Sequence, residues 1–156
     1  MVRRTKQSFS YAQVEGALAK VLEIAPDQFG AFAARLRHLR SLDVPRSSKP
    51  GSGRRISYDW THAAQMLMAL LFQSLGCAPR ISAEAAWAAE NSFEVAAKGP
   101  ELMFAILPEN DFDVFRVDQF PAIVGRQLTC AVVNLSRALA KLDAHLSDGK
   151  QTTTTL

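Results

Sequence analysis

Cysteine is scarce: the 156-residue chain holds only Cys77 and Cys130, far apart and without a CxxC pair or a neighbouring histidine. That spacing excludes a disulfide framework or a zinc knuckle, and both side chains are expected as reduced core thiols. A long apolar run is missing as well. The longest nearly uncharged stretch, residues 63–81, is interrupted by Gln65, Gln73, Ser74, Gly76, Pro79 and Arg80, so it does not make a continuous membrane-crossing helix. The chain starts Met1-Val-Arg-Arg-Thr-Lys, but Gln, Ser and Tyr follow where a secretory signal needs an apolar segment, which makes the cytoplasm the expected location. Acids are few in the first half. Residues 1–80 hold 5 Asp/Glu against 12 Lys/Arg, whereas residues 81–156 hold 10 against 6.

What is present is an ordinary apolar fraction of 48%, enough for a buried core, and an uneven charge. Arg35, Arg37, Arg40, Arg46, Lys49, Arg54 and Arg55 fall within 21 residues whose single acid is Asp43. Clustered positive charge attracts phosphates, and counterion release from a polyanion drives sequence-independent binding. A basic, solubilising surface produces the same composition, so the local structure has to discriminate.

Ser10-Tyr-Ala-Gln13 matches a capping box and predicts a helix through about Leu22, with Tyr11, Val14, Leu18 and Leu22 at helical spacing. Pro26 marks a fresh start, and Phe29, Phe32, Leu36 and Leu39 then form one stripe of a second helix to about Leu42. Opposite that stripe lie Gly30, Ala31, Ala34, Arg37 and His38, with Arg35 at the margin. Compact residues permit close approach of the backbone to a duplex, and arginines reach guanine edges or phosphates. Charged outer faces are also the default of solvated helices. Residues 44–58, with two prolines and two glycines among basic residues, read as a small hairpin with a basic tip: a wing. Asp59 stands at an N-cap position before an apolar central helix, Trp60 to Leu75, ended by Gly76.

Helix, helix, basic wing and apolar helix, in that order over residues 9–81, resemble the DNA-binding half of the MerR family of bacterial regulators, a winged helix-turn-helix. Gly53-Arg54-Arg55-Ile56-Ser57-Tyr58-Asp59 is similar to that family's Gly-Tyr-Arg-x-Tyr wing, displaced by one residue, and Leu75-Gly76-Cys77-Ala78 to its Leu-Gly-x-Ser/Thr. The family's Arg-Tyr-Tyr-Glu is replaced by Leu36-Arg37-His38-Leu39-Arg40, and the first inter-helix connection is longer and lacks Gly-Val-Ser. Metal sensing does not transfer, because no metal-binding cysteines surround Cys77 or Cys130. The resemblance implies a second helix in the major groove and a wing on phosphates. Arg46, Lys49, Arg54 and Arg55 are then expected on phosphates, Arg35, Arg37 and His38 towards base edges, with Arg40 in the same DNA-binding set. A homodimer on two-fold symmetric double-stranded DNA is the expected assembly, with contact to transcription machinery or another regulator a further expectation.

Ser82 is read as the cap of a connecting helix, residues 82–98, ended by Gly99-Pro100. Residues 99–148 are read as a small α+β module for dimerisation or effector binding. Residues 102–107 and 112–117 flank Pro108-Glu-Asn-Asp111 as a β-hairpin, residues 128–133 suit a third strand, and Asn134 or Ser136 opens a final helix through about His145. One long helix from Pro121 is the alternative. Residues 149–156 read as a disordered tail. The fold class expected is α+β and helix-rich: an N-terminal winged helix-turn-helix followed by that module. Asp111, Asp113 and Asp118 match no calcium loop and read as a solvated turn. His38, His62 and His145 lack a nucleophile or metal partner at motif spacing, so no catalysis, metal or cofactor is expected. The competing reading is a protein-interaction adaptor or antitoxin-like module that does not bind DNA.

Overall fold

Ser10 opens the first helix with both halves of its capping box: Ser10 Oγ accepts the Gln13 N–H at 3.3 Å and Gln13 Oε1 accepts the Ser10 N–H at 2.8 Å. The computed structural model describes residues 7–46, 56–99, 101–107, 111–119 and 131–148. Helix α1 spans Tyr11–Val21 and buries Val14, Ala17, Leu18, Ala19 and Val21. A 3₁₀ turn at Pro26–Gln28 leads into α2, Phe29–Ser41, which buries Phe32, Leu36 and Leu39. Helix α3, Trp60–Ser74, is capped by Asp59, whose Oδ1 accepts the His62 N–H at 2.9 Å while His62 Nδ1 accepts the Asp59 N–H at 3.1 Å. Every residue from Ala63 to Leu70 is buried, so α3 is the central rod of the fold.

These three helices end alike. The residue after each cap takes a left-handed backbone, with φ of 54° at Glu23, 62° at Asp43 and 88° at Gly76. The following N–H reaches back to a carbonyl of the last turn: Ile24 to Ala19, Val44 to Leu39, Cys77 to Phe72. That motif satisfies carbonyls the helix leaves orphaned. Only at Gly76 does the chain supply the residue that adopts this conformation without a steric penalty.

Two expectations need correction in the next segment. Helix α4 begins at Pro79, three residues before Ser82, and ends at Ala89. Proline at the first turn is preset for helix and has no N–H to waste. Ser82 is buried inside the helix with its hydroxyl turned back on Ala78 O at 3.1 Å, so it caps nothing. The run to Lys98 is also not one helix: a 3₁₀ turn at Glu90–Ser92 separates α4 from α5, Phe93–Lys98. Rather than merely connecting, α4 packs along α3, and α5 packs against the last helix.

The hairpin forms as read. Strands β1, Leu102–Ile106, and β2, Phe112–Arg116, pair antiparallel with Phe104 opposite Val114. Strand β3, Ala131–Asn134, pairs antiparallel on the other side of β1 with Phe104 opposite Val133, giving the order β2-β1-β3. The remainder of the expected third strand and residues 108–110 of the turn lie outside the described residues. Asn134 then starts α6, Leu135–Asp148, its Oδ1 accepting the Arg137 N–H at 2.9 Å. The fold is therefore α+β and helix-rich, with a small three-stranded antiparallel sheet.

Helix α6 decides the tertiary arrangement. Its stripe Leu135, Leu139, Leu142 and Leu146 is buried against α1, α3, α5 and β1. Phe72 of α3 meets Phe104 of β1 edge-on at 5.6 Å, and Leu102 N–H donates to Ser136 Oγ at 3.0 Å. One hydrophobic cluster consequently runs from Phe9 to Leu146, shared by the segments 9–81 and 99–148. Among the described residues no helix is long and apolar enough to cross a membrane.

Candidate nucleic-acid interface

Helix α2 is two-faced. Phe32, Leu36 and Leu39 are fully buried, while Gly30, Ala31, Ala34, Arg35, Arg37, His38 and Ser41 are exposed. The helix contains no Asp or Glu. Among the described residues Arg35, Arg37 and His38 have no ion-pair partner, since the pairs present are His62–Asp59, Arg80–Glu84, Lys98–Glu94, Arg116–Asp118 and Lys141–Glu23. Thirteen residues at the helical rise make a rod of about 20 Å. Its outer side thus presents small residues over the first two turns and, over the last two, Arg35, Arg37 and His38 without an ion-pair partner among the described residues.

Arg40 sits differently. It is half-buried with its guanidinium over the Tyr11 ring, 5.3 Å from the centroid. Tyr11 packs against Tyr58 at 6.0 Å, and Tyr58 meets His62 edge-on at 6.2 Å. Phe9 and Tyr58 exchange backbone hydrogen bonds of 2.7 and 3.0 Å, tying the chain before α1 to the chain before α3, and the Ser8 and Ser57 hydroxyls pair beside them. Burial pushes the Tyr11 phenol above its ordinary value of 10.0, helped by the Glu15 carboxylate it donates to and opposed by Arg40. Burial likewise raises the Tyr58 phenol, again against Arg40. Arg40 is therefore engaged with an aromatic patch at the C-terminal end of α2.

The start of the basic segment is clamped. Gln65, 1% exposed in the middle of α3, accepts the Arg46 N–H on Oε1 at 2.9 Å and donates from Nε2 to Glu90 Oε2 at 2.8 Å. Trp87 of α4 donates its indole N–H to Asp43 O at 3.2 Å, and its ring carries the Arg46 guanidinium 4.5 Å above its centroid. Val44 and Pro45 are buried between these contacts. Two helices thus hold residues 43–46 in place, and the chain leaves Arg46 for the basic stretch from a fixed point.

Of the residues expected from the sequence, Arg35, Arg37 and His38 share the open face of α2, Arg40 lies at its edge on Tyr11, and Arg46 stands on Trp87 at the start of the basic segment. Lys49, Arg54 and Arg55 lie outside the described residues. Gln65 and Trp87 were not foreseen. A glutamine inside the apolar run 63–72 is the signal that could have marked Gln65, since a buried amide needs partners for both ends; nothing local marks Trp87. Among the described residues no group of three His, Cys, Asp or Glu is placed to hold a metal ion. Cys77 is a free, half-buried thiol whose pKa is raised by burial, while Cys130 is outside the described residues. Compared with known proteins, the chain matches no family model, no curated protein and no solved structure.

Proposed function

We propose that this chain is a sequence-specific double-stranded DNA-binding transcriptional regulator, with α2 entering the major groove and the basic segment after it acting as a wing on phosphates. The observation that carries the proposal is the open, acid-free face of α2, with compact residues followed by Arg35, Arg37 and His38. A major groove about 12 Å wide accepts one such helix, and arginine reads guanine there through paired hydrogen bonds. The clamp of residues 43–46 on α3 and α4, and the Phe9–Tyr58 bridge, support the wing reading by tying the chain on both sides of the basic segment to the helices. Arg40 and Arg46 act in this scheme as positioning residues beside the contacts. Binding as a two-fold homodimer doubles the contacts of one small module. The role is binding and not catalysis.

Fluorescence anisotropy on labelled duplexes tests this across a salt series. Affinity is expected to fall steeply with salt. Arg35→Ala and Arg37→Ala are each expected to cost about 1–3 kcal/mol on the preferred site and little on random duplex, whereas Arg54→Ala/Arg55→Ala weakens both alike and flattens the salt slope. No binding at low salt refutes the proposal. Equal losses on preferred and random DNA from the α2 variants refute the assignment of roles, and capture of an acidic protein with weak salt dependence favours an adaptor instead.

A further inference from the structure

Away from α2, an open groove of about 290 Å³ lies where the ends of α1 and α3 meet β3 and the first turns of α6. Its apolar lining is Val21, Leu71, Leu75, Val132, Val133 and Ala138. Leu75 is 53% exposed, a large apolar side chain left to water at the groove's edge. The rim is polar, and most of its groups are already engaged. Ser74 Oγ donates to Leu71 O at 2.6 Å. Asn134 caps α6 through Oδ1 and bonds Glu101 through Nδ2. Lys141 Nζ stands 3.7 Å from Glu23 Oε1 as an exposed pair, an arrangement of little strength. What remains is the guanidinium of Arg137, exposed and without an ion-pair partner among the described residues.

An apolar lining beside a guanidinium without an ion-pair partner among the described residues selects one ligand chemistry. We infer that the groove binds a small monocarboxylic acid with an apolar tail, the carboxylate on Arg137 with Lys141 one turn further along, and the tail on Leu71, Leu75 and Val133. Arginine binds carboxylate through two parallel hydrogen bonds, which fixes the head, and the lining removes the tail from water. A neutral head group lacks the charge that pairs with Arg137, and a cation is repelled by Arg137, the rim group whose charge is not already faced by a carboxylate as Lys141 is by Glu23. Octanoate, a short monocarboxylate with an apolar tail, is the probe that matches this chemistry. The site is separate from the α2 face, and the inference stands whether or not that face binds DNA.

Titrations of the full chain without DNA, followed by calorimetry and amide NMR, test it with octanoate, octanol, octylamine and acetate as probes. Octanoate is expected to bind and to shift the amides around Leu75, Val133 and Arg137, with octanol and acetate at least about tenfold weaker and octylamine silent. Arg137→Gln, at an exposed position, is expected to weaken octanoate by about tenfold or more and to leave octanol unchanged. Leu75→Asp, also at an exposed position, sets a competing carboxylate at the groove and is expected to weaken octanoate as well. Octanol binding as tightly as octanoate overturns the inference. So does octanoate affinity unchanged by both substitutions, or no response to octanoate in a chain whose circular dichroism is native.

Discussion

Gln65 holds two elements together across a buried centre, and its replacement by leucine is the most informative single change in this molecule. Leucine keeps the volume and removes both hydrogen bonds, the 2.9 Å bond from Arg46 N–H and the 2.8 Å bond to Glu90. An N–H left without its buried acceptor costs about 1–3 kcal/mol. Glu90 is half-buried and turns to water, so its share is only the net worth of a charged hydrogen bond, about 1.5 kcal/mol at the lower end. Gln65→Leu is therefore expected to destabilise by about 2.5–4.5 kcal/mol, and for a chain of this length each kcal/mol lowers Tm by about 2–4 °C. Gln65→Glu faces one carboxylate with another and is expected to be worse at neutral pH, recovering as acid returns a proton to the pair. Urea denaturation gives the stability, and amide exchange at Arg46 gives the local effect, which should quicken beyond the global change. In a double-mutant cycle Gln65→Leu and Glu90→Ala should be non-additive. If Gln65→Leu lies within about 0.5 kcal/mol of the parent, with Arg46 exchange unaltered, the clamp is not what holds residues 43–46.

Tyr58 offers the opposite sign. Its Oη is buried and has no hydrogen-bond partner among the described residues, so Tyr58→Phe removes an unsatisfied group and is expected to be neutral or stabilising at pH 7 in chemical denaturation. Because burial raises the phenol above 10.0 in the folded chain, the stabilisation is complete below pH 10 and is lost as pH rises beyond it; Tyr58→Phe should make that alkaline loss shallower. A penalty above about 2 kcal/mol at pH 7 would mean that the hydroxyl has a partner after all. The left-handed caps give a paired comparison. Gly76→Ala meets open space, so its expected cost of about 1 kcal/mol is backbone strain alone, while Glu23→Gly should stabilise by a few tenths to about 1 kcal/mol despite losing the exposed pair with Lys141. Thermal melts of both variants check the signs, and a stabilised Gly76→Ala contradicts the cap geometry.

Elements set by neighbours three or four residues apart were legible in the chain itself. The Ser10 capping box, the buried stripe of α2, Asp59 before α3, Gly76 after it, and the β1–β2 hairpin all depend on short-range periodicity and hydrogen bonds within one turn. The same locality explains the misreading at Ser82: a serine with a helix behind it looks like a cap, but Pro79 had already started the helix and the serine lay inside. Two of the three left-handed caps were equally invisible, since Glu23 and Asp43 occupy a conformation that sequence preference assigns to glycine.

The amino-acid order by itself determined the helix-rich α+β class, the two faces of α2 and the concentration of positive charge beside it, because each follows from residue type and local spacing. Tertiary structure alone decided that α6 lies against α1, that β3 joins the far side of β1, that Arg46 rests on Trp87, and that Gln65 satisfies partners 19 and 25 residues away. Those contacts join positions distant in the chain. They are chosen by which buried surfaces and polar groups satisfy one another once the core closes, and no repeat of three, four or two residues records that choice.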